Sequence, residues 1–109
     1  MKRTHHDAHA LLIVLFVLIA VIGGCATVGV DFPTDPVRSI EIGRTTQSDI
    51  TRTFGDPWRT GIEDGDVSWT YGYYRYRLFG ESETRDLKII FDKSGRVRSY
   101  SFNQSGDGR

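Results

Sequence analysis

A charge-free apolar run from Ala10 to Ile22 constrains this chain of 109 residues more than any other feature. The run has 13 residues, follows the positive pair Lys2 and Arg3, and leads through Gly23-Gly24 to the only cysteine, Cys25. A membrane-spanning helix needs ~20 apolar residues to cross ~30 Å of hydrocarbon, so this run is too short for a typical transmembrane helix. Its length and positive start are typical of an export signal. The sequence therefore divides into a leader and a mature part.

The junction Ile22-Gly23-Gly24-Cys25 resembles the lipobox of bacterial lipoprotein signal peptides, in which small residues precede an acylated cysteine. The resemblance implies cleavage before Cys25 and attachment of a diacylglycerol and a further acyl chain, such as palmitate, to that residue. Two or more acyl chains hold a protein stably in a bilayer. Ala26 stands where an aspartate would favour inner-membrane retention, so we expect the periplasmic face of the outer membrane. A non-cleaved transmembrane anchor and a secretory signal with an incidental cysteine are the alternatives.

Removal of residues 1–24 leaves 85 residues, enough for one small domain. This mature part has 12 basic and 13 acidic side chains, a formal net charge of −1, so its charge gives no reason to expect nucleic acid as a partner. All three histidines, His5, His6 and His9, leave with the leader. Without imidazole or a free thiol, histidine- and cysteine-based catalysis and zinc sites are excluded. An enzyme of this composition would be restricted to chemistry by carboxylates alone, and we expect no cofactor or metal.

The mature chain is predicted to contain three parts. Residues 25–36 carry two prolines and no clear periodicity, and we expect a lipidated tether there. A folded domain follows at 37–103, and 104–109 is expected to be a disordered tail. Within the domain, Val37–Ile42 fits either a short helical turn or an extended entry.

A short helix is predicted after Thr46. Thr46 and Asp49 have the spacing of a capping box, in which the N-cap hydroxyl and the N3 carboxylate each satisfy a free backbone N–H. Ile50 and Phe54 lie one turn apart and form the apolar face. Gly55 then supplies the helix stop.

Beyond the helix the apolar period changes to two, which predicts strands. A short strand is possible at 58–62, and a polar, mobile loop is expected at 80–86. The two last strands are predicted at 87–91 and 97–103, joined by a glycine-containing hairpin turn. The preceding strand has the strongest alternation, and we expect Trp69 and Tyr71 to cover the helix as core. The side chains that alternate on this face are Val67, Trp69, Tyr71 and Tyr73.

The candidate partner-binding residues are Tyr74, Arg75, Tyr76 and Arg77. Aromatic residues and arginine are enriched at interface hot spots, and these four alternate at the end of the long strand. The alternation places the two arginines on the face opposite the two tyrosines. An ordinary exposed strand end is the alternative reading.

The acidic turn Glu63-Asp64-Gly65-Asp66 offers carboxylates for a calcium site or for a catalytic carboxylate pair. One short turn lacks the number of oxygen ligands that calcium takes. Turns favour these residue types for conformational reasons alone. A solvated turn is therefore expected.

The helix, its stop and the following strands share an order of motifs with a known family. The motifs are Gly43-x-x-Thr46-x-x-Asp49-Ile50-x-x-x-Phe54-Gly55-x-Pro57, then Trp69-x-Tyr71, then Leu87-x-Ile89-x-Phe91-Asp92-x-x-Gly95 and Val97. In this order they resemble the SmpA/OmlA family of BamE-like outer-membrane lipoproteins. The chain departs from the simplest pattern by one extra residue between Gly43 and Thr46, and its 80–86 loop is its own.

The resemblance implies an α+β fold, with one or two short helices packed on a three-stranded antiparallel sheet. It also implies a non-enzymatic accessory or scaffold role in envelope assembly, in which β-barrel proteins are folded into the outer membrane. Contacts with outer-membrane assembly proteins and with anionic phospholipid follow from the same resemblance. The fold is similar to that of some secreted β-lactamase inhibitors as well, so a periplasmic inhibitor or ligand-binding module is the alternative function.

Overall fold

The computed structural model describes residues 3–22 and 25–106. Gly23 and Gly24 of the lipobox-like junction, and 107–109 of the predicted tail, lie outside the described residues. In chain order the elements are α1 (Arg3–Ile22), β1 (Cys25–Gly29), a 3₁₀ helix (Asp35–Ser39), α2 (Gln47–Phe54), β2 (Arg59–Glu63), β3 (Asp66–Arg77), β4 (Glu83–Phe91) and β5 (Val97–Ser105). Helix α1 covers most of the predicted leader, and no helix within the described ranges is long and apolar enough to cross a membrane. The predicted α+β class is confirmed.

The sheet is built around β3, a strand of 12 residues. Its one edge pairs with β4, which in turn pairs with β5, and all pairings are antiparallel. Its other edge is shared end to end, since β2 pairs with Asp66–Thr70 and β1 with Tyr73–Arg77. The expected number of three strands is wrong, because the residues that the structure describes form a sheet of five strands. Two short segments satisfy backbone groups that a long strand would otherwise leave open along one edge.

The segment expected to be a tether belongs to the sheet from its first residue. Cys25 lies opposite Arg77, and Gly29 opposite Tyr73. Gly29 has a φ of 87°, and a Cβ there would overlap the backbone carbonyl of Gly72. Only glycine therefore allows the chain to turn at this point. The turn carries the following residues back under the helix side of the sheet.

Phe32 is the reason that this segment folds against the domain. Its side chain is 5% exposed and belongs to the core. The ring centroid of Phe32 lies 6.4 Å from that of Phe54 on α2 and 5.9 Å from that of Tyr71 on β3. Burial of an aromatic side chain of this size outweighs the irregularity that two prolines impose.

Helix α2 begins with the predicted capping box. The Thr46 hydroxyl accepts a hydrogen bond from the Asp49 N–H at 3.2 Å, and the Asp49 carboxylate accepts one from the Thr46 N–H at 3.0 Å. These hydrogen bonds, the Thr46 N–H above all, lower the pKa of Asp49 below its ordinary value. Ile50 and Phe54 are buried, and Gly55 follows with a φ of 83°. The predicted helix and its stop are confirmed.

The core lies between α2, the 3₁₀ helix and one face of the sheet. Val37 and Ile40 are buried at the 3₁₀ helix, whereas Ile42 is exposed, which settles the ambiguous entry as a helical turn. Trp69 packs edge-on against Phe91, with ring centroids 4.8 Å apart. Strand β5 extends to Ser105, beyond the expected end at residue 103. The most deeply buried side chains are Ile50, Leu87, Ile89, Phe91 and Val97.

Candidate functional site

The four candidate partner-binding residues divide between the two faces of the sheet. Tyr71 contacts Phe54 of α2, with ring centroids 5.6 Å apart, so the odd-numbered positions of β3 lie on the helix side. Alternation along the strand puts Arg75 and Arg77 on that side. Tyr74 and Tyr76 lie on the opposite side, which we call the outer face. The predicted separation of tyrosines and arginines therefore agrees with the register, and the four residues do not form one contiguous surface.

Arg77 is engaged in a network of ion pairs on the helix side. Its guanidinium lies 3.2 Å from the Glu83 carboxylate, whose other oxygen is 3.6 Å from Arg85. Arg85 also pairs with Asp31 at 2.8 Å and stacks 4.5 Å from the ring centre of Tyr73. Because β4 starts at Glu83, the expected mobile loop at 80–86 is wrong in its second half. These ion pairs hold the Arg77, Glu83 and Arg85 side chains against the sheet.

The outer face carries an aromatic and charged cluster centred on Trp58, which we call the Trp58 cluster. The rings of Trp58 and Tyr74 lie 5.8 Å apart, and the Arg59 guanidinium lies 4.5 Å from the Trp58 ring centre. Both rings reach over Gly72, where a Cβ would come within 3.0 Å of each of them. Burial, and next the nearby Asp86 carboxylate, raise the pKa of the Tyr74 hydroxyl. A hydrogen bond from the hydroxyl to that carboxylate favours the protonated form further.

A shallow cavity of about 310 Å³ opens beside this cluster. Arg59, Lys88 and Asp86 supply charge to its walls, and the Trp58 and Tyr74 rings supply apolar surface. Such a mixture of flat rings and charged groups suits binding to another macromolecule. Trp58 and Arg59 were not recognised from the sequence as binding candidates. The signal that could have identified them is an adjacent aromatic and cationic pair on a short strand.

The acidic turn is more structured than expected. Glu63 pairs with Lys88 at 2.8 Å, and Asp66 pairs with Arg98 at 3.1 Å and also with Lys93. Asp64 is exposed at the tip with a φ of 52°. Across residues 3–22 and 25–106, no three potential metal ligands among His, Cys, Asp and Glu come together. The carboxylates at 63 and 66 thus act in ion pairs across the sheet.

The described residues form a small α+β domain, with a capped helix on one face of an antiparallel sheet and the Trp58 cluster on the other. The family model for the outer membrane protein assembly factor BamE domain matches residues 32–101, more than half of the chain. The chain therefore belongs to the BamE family, which confirms the resemblance to SmpA/OmlA proteins. Membership implies involvement in outer-membrane protein assembly, and the family is one of non-enzymatic assembly factors. No curated protein and no solved structure matches the chain significantly.

Proposed function

We propose that this protein is a lipid-anchored accessory or scaffold factor in the assembly of β-barrel proteins, held by acylated Cys25 at the periplasmic face of the outer membrane. The observation that carries the proposal is the BamE match over residues 32–101, which spans the folded core from Phe32 to β5. The lipobox-like junction directly before the domain supports the anchor. Cleavage there would also remove every histidine, which agrees with a role in binding.

The outer face is the proposed surface for an assembly protein. Tyr76 is 50% exposed there, and the Trp58 cluster lies on the same face. On the other face, the Arg77 guanidinium forms an ion pair with Glu83, so it is less available to a partner. Anionic phospholipid is the second proposed ligand, and Arg75 stays a candidate for its headgroup.

Site-specific photo-crosslinking in intact cells tests the partner surface. A photoreactive residue at position 76 is expected to capture subunits of the outer-membrane assembly machinery, because Tyr76 is exposed beside the Trp58 cluster. Arg52, on the exposed side of α2, is the matched control position and should give no such product. Crosslinks from position 52 in place of 76 would contradict the choice of surface. Capture of a single soluble periplasmic enzyme would support the inhibitor alternative.

The anchor has an independent test. Protein extracted from membranes should have the mass of residues 25–109 plus acyl chains, and Cys25→Ser placed behind an ordinary cleavable secretory signal should release the domain into the periplasmic fraction. Domain stability measured on the released form serves as the control for misfolding. An unacylated mass, or a Cys25→Ser protein that stays on the membrane, would refute the anchor.

A further inference from the structure

Strand β1 places the start of the mature chain beside the turn between β3 and β4. Cys25 lies opposite Arg77, the last residue of β3, and the turn occupies 78–82. Paired strands are ~4.8 Å apart and rise ~3.3 Å per residue, so the backbone of Cys25 and the beginning of the turn are close neighbours. The sheet begins at Cys25 without a spacer. Acyl chains on that residue would therefore bring this end of the sheet to the bilayer surface.

The turn at this end presents two adjacent apolar side chains to solvent. Leu78 is 64% exposed and Phe79 is 85% exposed. Phe79 is the most exposed large apolar side chain within residues 7–18 and 26–106. An exposed Leu-Phe pair next to the proposed attachment point has the chemistry of an interfacial membrane contact, since such residues are favourable at the headgroup and acyl boundary.

The charges behind this turn are neutralised in pairs. Glu83, the first residue of β4, lies between Arg77 and Arg85. Pairing reduces the cost of moving charge toward a medium of low dielectric constant. Glu81 is the exposed acidic residue of the turn. Its carboxylate restricts the contact to the interfacial layer.

We propose that Leu78 and Phe79 insert into the interfacial layer of the bilayer that holds Cys25. This contact rests on the proposed lipid anchor and adds a second attachment point. With two points fixed, the sheet cannot swivel freely about its anchor. The opposite end of β3 stands away from the membrane, because Val67 precedes Arg77 by ten residues, about 33 Å along the strand.

The test uses the full chain expressed in a host that processes lipoproteins, purified from membranes and reconstituted into phosphatidylethanolamine–phosphatidylglycerol vesicles. With Cys25 acylated, Phe79→Cys introduces a unique thiol for an environment-sensitive fluorophore. Leu78→Cys is a second reporter that keeps Phe79 in place. Ile62→Cys is the matched control, since Ile62 is 71% exposed on β2 opposite Val67, at the far end of the sheet. Circular dichroism verifies the fold of each labelled protein.

Quenching by lipids brominated along their acyl chains is expected to be at least about threefold stronger at positions 78 and 79 than at position 62, because interfacial residues reach the acyl boundary. Equal, weak quenching at all three positions in protein of acylated mass would overturn the insertion and leave the anchor intact. An unacylated mass would refute the anchor and the insertion with it. A fluorescence shift at position 79 that increases with protein concentration, without quenching by brominated lipid, would show that the turn contacts a second copy of the chain. That result would also overturn the proposal.

Discussion

Tyr71 connects the middle of β3 to the end of α2, and its removal should weaken the domain in two separable ways. Its side chain is 2% exposed, and its hydroxyl donates a hydrogen bond of 2.7 Å to the Gly55 carbonyl. Its ring lies 5.6 Å from Phe54 and 5.9 Å from Phe32. Tyr71→Phe removes only the hydrogen bond, whereas Tyr71→Ala removes the ring as well.

The expected magnitudes differ clearly. Gly55 is exposed, so water can replace the lost donor, and Tyr71→Phe should cost ~1 kcal/mol of unfolding free energy. Tyr71→Ala should cost about 3–5 kcal/mol, because it leaves a cavity beside the Phe32 and Phe54 rings. With a urea dependence of ~1 kcal/mol per molar for a small domain, the first change lowers the midpoint by about 1 M. Urea unfolding followed by tryptophan fluorescence, on mature chain with Cys25→Ser, measures both.

The alkaline pH dependence provides an independent check on the same residue. Burial, and next the Asp56 carboxylate, raise the pKa of Tyr71 to about 12 from an ordinary value of 10.0. Between these values the unfolded chain loses the phenolic proton while the folded chain keeps it. Stability should therefore fall as the pH rises above 10. Tyr71→Phe should reduce this fall. An unchanged pH slope, or a loss as large as that of Tyr71→Ala, would refute the assignment.

Five further substitutions test other parts of the domain in the same unfolding assay. Thr46→Ala should cost ~1 kcal/mol of unfolding free energy through loss of the helix cap. Asp49→Asn should make the decline of stability on acidification less steep. The pKa of Asp49 is lowered in the folded chain, so its carboxylate stabilises the fold above the unfolded pKa, and this contribution is lost as the pH falls through the folded pKa. Leu87→Ala should cost about 2–5 kcal/mol of unfolding free energy because Leu87 is fully buried. Leu78→Ala at the exposed turn should change stability by less than about 0.5 kcal/mol. Equal losses for the two variants would place Leu78 in the core. Gly72→Ala should cost about 1–3 kcal/mol by forcing the two rings of the Trp58 cluster apart, and an unchanged midpoint would show that these rings are free to move.

The helix and the central strands were predictable because their signals are local. The capping residues Thr46 and Asp49 lie three positions apart, and Gly55 follows within the same short segment. The alternation in β3 and β4 likewise reflects one buried face, so Tyr71 and Leu87 could be placed in the core from the pattern alone.

The first strand and the Trp58 cluster could not be predicted with the same ease, because both depend on pairing between distant segments. In the supposed tether, Val28, Val30 and Phe32 do alternate, but only Phe32 is buried. An edge strand is stabilised by backbone hydrogen bonds to its neighbouring strand. These bonds do not depend on side-chain type, so the sequence of the edge strand carries little signal for them. Trp58 and Tyr74 are 16 positions apart and meet only because the chain reverses between β2 and β3.

The pairing of Cys25 with Arg77 has a consequence for the order of events during maturation. A peptidase needs an extended, accessible substrate, and hydrogen-bonded backbone must open locally before it can be cut. If the bond before Cys25 is cleaved as proposed, cleavage before β1 docks on β3 avoids that opening. Until then, Tyr73–Arg77 lacks its partner strand. Slow docking of this strand would therefore favour complete maturation.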